Sequence, residues 1–214
     1  MAHHKDKYAL KKFKKSNLSF VFKAAFIGLL HSLSTQRNMK IHWISGFMVM
    51  LVGMTIPFDF AAKAALFFSV FLILFAELMN SAFEAIVDLC VSEYNQYAKI
   101  AKDAAAAAVL LLSCAVAILF FNMIFVEYWS FIFKNTHKIL ITLINGLPCV
   151  AVIVWYLFFP QKASAFKLPV WFIVMGFFVY IAKTSPDHGF SITGALFLFV
   201  ALVSSRYQRD RLIS

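Results

Sequence analysis

The chain has 214 residues, 62% of them hydrophobic and 14% charged, with a net charge of +10. Soluble domains are about half apolar and about a quarter charged, and disorder needs low hydrophobicity, so both classes are excluded and an integral membrane protein is expected. No two of the 7 glycines are spaced G-x-G, and no G-x-x-x-x-G-K-[ST] run occurs, which excludes Walker and Rossmann phosphate loops.

Residues 1–17 carry Lys5, Lys7, Lys11, Lys12, Lys14 and Lys15 and read as a basic cytoplasmic arm, too basic for a cleavable signal peptide. From Ser19 to about Ser34, Phe22, Phe26, Leu29 and Leu33 recur at helical spacing. With flanking lysines, this stripe predicts an amphipathic helix on the membrane surface. Apolar segments follow at about 41–57, 61–89, 104–126, 139–159, 168–183 and 190–205. A span takes roughly 20 residues, so the first segment needs some of its flanks and the last two are short.

With the N-terminus inside and six spans, only Lys63, Lys134, Lys138 and Lys183 fall outside. The positive-inside rule therefore predicts a multi-pass membrane protein with both termini cytoplasmic. The positive charge reports topology and anionic lipid rather than nucleic acid. Ile56-Pro57-Phe58-Asp59 and Ser185-Pro186-Asp187-His188-Gly189 read as outside turns, and Pro160 and Pro169 bracket an inside loop. Ala104–Ala108 opens the third span with small residues that permit close helix approach. Cys90, Cys114 and Cys149 lack metal-ligand spacing and read as packed core residues.

The informative region runs from Glu77 to Asp103. Glu77, Asn80, Glu84 and Asp88 lie at offsets that place them on one helical face, roughly 80° wide. A single ionisable residue at the bilayer centre costs roughly 2.5–3.5 kcal/mol on the lenient scale. Asn80 alone could hold a bundle together, but three aligned carboxylates repel one another unless something positive sits between them. A functional site is therefore favoured over a purely structural stripe. At the cytoplasmic end the stripe meets Ser92-Glu93-Tyr94-Asn95 and Ala98-Lys99-Ile100-Ala101-Lys102-Asp103. Acids beside a lysine at that interface suit a divalent cation with a polyphosphate. There a lysine neutralises a transferring phosphoryl group and a carboxylate accepts the proton of an attacking hydroxyl.

E-L-M-N-S-A-F-E-A-I-V-D, then S-E-Y, then A-K-I-A-K-D-A-A-A-A-A-V resembles the prokaryotic diacylglycerol kinase family, which includes undecaprenol kinases. Arg37-Asn38-Met39-Lys40-Ile41-His42 also fits the family's first motif, and the resemblance covers about residues 19–126. It implies an all-α integral membrane fold. The parts would be an arm at 1–18, an N-terminal surface helix with a three-span kinase core at 19–126, and three further transmembrane helices at 127–214. It also implies a homotrimer that uses ATP and Mg2+ to phosphorylate a membrane lipid alcohol, diacylglycerol or undecaprenol. By motif position Glu77 is implied as catalytic base and Glu84 as metal ligand. Glu93, Tyr94, Asn95, Lys102 and Asp103 are implied as nucleotide contacts, with Asn80 and Asp88 in support.

The chain departs from the family at two positions. Gln36 stands where the family has a second metal-ligand glutamate, and no carboxylate lies between Asp6 and Asp59. Asn95 stands where some members carry histidine. The lipid kinase reading therefore has an alternative, an impaired member that binds lipid or nucleotide as a regulator. A transporter is a third class, opposed by the clustering of the acids on one helix and by the lack of a visible repeat. In residues 127–214, Asp187-His188-Gly189 and Ser191-Ile192-Thr193-Gly194 are faintly similar to one motif of phosphatidic acid phosphatase type 2 membrane domains. This half is expected to be a degenerate phosphatase-like domain or packing helices, with His188 a solvated turn residue.

Overall fold

The computed structural model describes residues 18–159 and 167–213. The basic arm up to Asn17, and Pro160 and Lys162 of the expected inside loop, lie outside the described residues. All elements among the described residues are helical. In hydrocarbon an unpaired backbone N–H or C=O is costly, and a helix satisfies these groups internally. The order is α1 (Leu18–Thr35), α2 (Arg37–Gly53), α3 (Phe60–Cys90) and α4 (Gln96–Asn122). A π-helical turn (Met123–Glu127) then leads to α5 (Trp129–Lys134), α6 (Thr136–Phe158), α7 (Lys167–Thr184) and α8 (His188–Ile213). The protein is an all-α integral membrane protein. Among the described residues, α1, α3, α4 with the π turn, α6 and α8 are long and apolar enough to cross a membrane.

The six expected apolar segments correspond to α2, α3, α4, α6, α7 and α8, with one shift. The first was placed at 41–57, whereas α2 begins at Arg37 and ends at Gly53. Pro57 disfavours helical geometry in the residue before it, and the polar opening Arg37-Asn38-Met39-Lys40 is itself helical. Its 17 residues are at the short end of the span range, and one side of it is covered by protein: Met39, Trp43, Phe47, Met50 and Leu51 are buried against α3, α6 and α8, while Ile41 and Met48 are exposed. The α1 stripe does not lie under one continuous cover. Leu33 is fully buried, but Phe22 is 68% exposed and Phe26 is also exposed, because only the C-terminal end of α1 packs against its neighbours.

Two contacts show how α2 becomes the centre. Trp43 stacks on Phe197 of α8 at 4.4 Å, and its Nε1 donates to the Phe197 carbonyl at 3.2 Å. Gly53 lies so close to the Phe190 ring that a Cβ there would come within 2.4 Å of it. The buried core joins α1–α3 to α6–α8 without a break at residue 126.

By contrast, α4 packs on α3 and buries only Val109. Ala104, Ala106, Ala107 and Ala108 are exposed, so among the described residues these small side chains are covered by no other helix. The expected burial of the cysteines holds for Cys149 alone. Cys90 and Cys114 are exposed, one at the end of α3 and the other on an outward side of α4.

Candidate functional site

The α3–α4 connection is built by local chemistry. Val91 ends α3 in extended geometry, and Asn95 caps α4, its Oδ1 accepting from Tyr97 N at 2.8 Å and Ala98 N at 3.3 Å. A short polar side chain at this position satisfies amides that a helix start leaves unpaired. Asp88 of α3 and Lys102 of α4 form an ion pair across the corner. A pocket of about 290 Å³ opens there, lined by Asp88, Glu93, Tyr94, Asn95, Lys99, Lys102 and Asp103 together with apolar groups.

The residues expected to contact a nucleotide thus meet in one pocket. Lys99 was not among them. The signal was available, since Ala98, Lys99, Lys102 and Asp103 share one face of α4 at spacings of one, four and five. Asn95 spends its side-chain oxygen on the helix cap.

The stripe continues from this pocket along α3. Asp88 is exposed, Glu84 is half-buried, and Asn80 and Glu77 are buried at 4% and 2% exposure. Eleven residues at 1.5 Å each separate Glu77 from Asp88 by about 16 Å along the axis. Asn80 Nδ2 donates to Glu84 Oε1 at 3.0 Å, while Asn80 Oδ1 is buried without a partner. Ser81 lies on the same face. Its hydroxyl donates to the Glu77 carbonyl at 3.0 Å and meets Ser32 Oγ at 3.2 Å, which brings the end of α1 onto the stripe. Sequence reading missed both serines. Ser81 was detectable four residues after Glu77, but Ser32 required the packing of α1 on α3.

Gln36 follows Ser32 by one turn and occupies the break between α1 and α2, in extended geometry with no side-chain cap bond. Among the described residues, no three His, Cys, Asp or Glu side chains converge as a metal-holding group.

Residues 23–125 match the family described as prokaryotic diacylglycerol kinase. A protein named diacylglycerol kinase from Synechocystis is 40% identical over 103 residues, covering 48% of this chain and 59% of that protein. One named undecaprenol kinase from Bacillus subtilis is 31% identical over 97 residues, covering 44% of this chain and 79% of that protein. The chain belongs to the prokaryotic diacylglycerol kinase family. It spans 59% of the length of the Synechocystis relative. No solved structure matches the chain significantly. The family match runs from α1 to the π turn, so the stripe, the α3–α4 pocket and Gln36 all lie within the family region.

Proposed function

We propose that the protein is a membrane lipid kinase that moves the γ-phosphate of ATP to the hydroxyl of a lipid alcohol, diacylglycerol or undecaprenol. The observation that carries this reading is the continuity of one polar face from buried Glu77 to the α3–α4 pocket. Glu77 takes the hydroxyl proton. The freed oxygen attacks the γ-phosphorus, the β–γ anhydride bond breaks, and ADP leaves. Asn80 Oδ1, buried and unpartnered, is an acceptor that orients the hydroxyl.

The pocket holds two ammonium groups, Lys99 and Lys102, against three carboxylates, Asp88, Glu93 and Asp103. A polyphosphate entering alone would be repelled, so a divalent cation must accompany it. Residues of this chain fit Mg2+ of that kind. Magnesium takes one or two carboxylates plus phosphate oxygens, and the described residues offer no preformed cage of three. Glu84 would supply a carboxylate and Gln36 a carbonyl oxygen, and the bound ion would neutralise charge on the transferring group. Lys102 would exchange Asp88 for phosphate, with Tyr94 and Glu93 at the nucleotide's exposed side.

The reading includes a bacterial cytoplasmic membrane, both termini on the cytoplasmic side, and a homotrimer. Support for self-association comes from α4, whose alanine-rich turn is left exposed among the described residues. Residues 127–214 serve as packing helices. In line with this, Asp187 is occupied in an ion pair with Lys63 and in bonds to the first amides of α8, and His188 is exposed. A second reading, an impaired member that binds lipid or nucleotide, is favoured by one observation: a neutral amide at Gln36.

The test is transfer of labelled γ-phosphate in mixed micelles, with diacylglycerol and undecaprenol offered separately and Glu77→Gln as the blank. Removing a general base costs about 10²–10⁴-fold in rate. Magnesium-dependent transfer lost in the blank establishes the kinase. No transfer from folded protein to either lipid favours the impaired reading.

A further inference from the structure

The α2–α3 turn, α5, α6 and α7 enclose a second cavity, of about 430 Å³, at the other end of α3 from the nucleotide pocket. The 31 residues of α3 put these two ends about 45 Å apart. Thr55, Asn135, Lys138, Thr142, Asn145 and Tyr180 supply its polar lining. Ligand pockets are on the order of 300–1,000 Å³ with a few placed polar groups, and this cavity fits that description.

Three observations identify what it would hold. First, neither the Lys138 ammonium nor the Tyr180 hydroxyl has an ion pair or hydrogen bond among the described residues. Asn135, at the α5–α6 junction, uses one amide hydrogen on the Phe131 carbonyl of α5, and Asn145 uses one on the Ile141 carbonyl of its own helix, leaving the other of each to donate. The cavity therefore presents several donors around one positive charge, a set suited to a phosphate. Second, the cavity continues into a groove of about 420 Å³. Asn145 and Tyr180 line both, and the groove is otherwise walled by Ile173, Gly176 and Phe177 of α7. Third, this groove is open: Ile173, Phe177 and Tyr180 are exposed, and a Cβ on Gly176 would meet nothing within 4 Å. A polar cationic head chamber joined to an apolar cleft on the outer side of a membrane helix has the shape and chemistry of a phospholipid.

We propose that this cavity and groove form a binding site for one anionic membrane phospholipid, its phosphate at Lys138 and its acyl chains along α7. Apart from Met54, Thr55 and Pro57 of the α2–α3 turn, the lining residues lie beyond the family match, and the site is separate from the proposed phosphoryl-transfer centre.

The experiment uses the full chain, purified in detergent and stripped of lipid. Native mass spectrometry counts bound phosphatidylglycerol, phosphatidylcholine and, as the headgroup without tails, sn-glycerol 3-phosphate. One phosphatidylglycerol is expected per chain, bound more tightly than phosphatidylcholine. Lys138→Gln should weaken phosphatidylglycerol about tenfold, the scale of a lost charge-assisted hydrogen bond. Gly176→Leu should weaken both phospholipids by filling the groove. Gly28→Leu, at an equally open glycine of α1, should change neither. Circular dichroism and a single elution peak report folding, and if Gly176→Leu misfolds the exposed Lys138→Gln decides. Wild-type affinity in Lys138→Gln overturns the proposal. So does displacement of the lipid by glycerol phosphate at equal concentration, which would make the cavity a site for a soluble phosphate.

Discussion

The Ser32 hydroxyl meets the Ser81 hydroxyl at 3.2 Å, and this contact ties α1 to the carboxylate face of α3. Ser81 has one proton and gives it to the Glu77 carbonyl, so Ser32 is the donor between the two. The helix carrying Gln36's approach is thereby fixed against the stripe. Ser32→Ala should cost about 1 kcal/mol, and combining it with Ser81→Ala should cost less than the two single losses added. Unfolding in detergent measures this, and strict additivity would mean that the contact does not form in solution.

At Gln36 the expected direction is a gain. Gln36→Glu adds the carboxylate that the resemblance to the family implies at this position, where the chain has an amide. If the amide limits the metal site, activity should rise and the magnesium concentration giving half-maximal rate should fall. Unchanged magnesium dependence would show that another group has taken over.

Lys102 and Asp88 are joined across the helix corner, yet Asp88 is 67% exposed at its side chain. Exposed pairs contribute about 0–1 kcal/mol, so Lys102→Met should leave stability nearly unchanged. Its effect belongs on the nucleotide: KM for ATP should rise about tenfold, with lipid KM unaltered. A matching rise in lipid KM would count against a nucleotide role.

The Lys63 ammonium bonded to Asp187 holds that carboxyl below its usual range, helped by the Gly189 and Phe190 amides. A depressed carboxyl stabilises the fold above its unfolded-state value, near 3.9, and that contribution disappears as pH falls through the lower folded value. Apparent Tm should therefore drop from about pH 4 downward. Asp187→Asn keeps an acceptor for the helix cap but loses the charge. It should lower the neutral-pH Tm and flatten the acid limb, and an unaltered acid limb would assign that limb to other groups.

Gly53 marks the closest approach of α2 to Phe190. Gly53→Val should destabilise by about 1–3 kcal/mol through overpacking. The same substitution at Gly28, where nothing lies within 4 Å, should be nearly neutral. Equal losses at the two glycines would point to helix propensity instead of the contact.

Much of this protein was legible before any coordinates. Apolar runs long enough to span a membrane force helices, because backbone groups in hydrocarbon have no other partner. The polar face of α3 followed from helical periodicity alone, and the residues lining the α3–α4 pocket were named by resemblance to the family motif, which lies in two short stretches joined by one corner. The caps at two helix starts emerged only from the structure: Asp59, read as a turn residue, accepts from Ala62 N, and Asn95, read as a nucleotide contact, accepts from Tyr97 N.

Tertiary structure decided what periodicity cannot encode, namely which apolar face meets protein and which meets lipid. In a membrane both faces are apolar, so hydropathy does not distinguish Phe47, fully buried in α2, from Leu111, 72% exposed on α4. That ambiguity misassigned Cys90 and Cys114 to the core and hid the uneven cover of α1. Ser32 on Ser81, the second lysine in the α3–α4 pocket, and the far cavity that gathers Thr55, Lys138 and Tyr180 from three separate segments all depend on helix–helix packing. Sequence fixes polarity along each helix; the rotation of each helix against its neighbours is set by side-chain fit, as at Gly53 against Phe190.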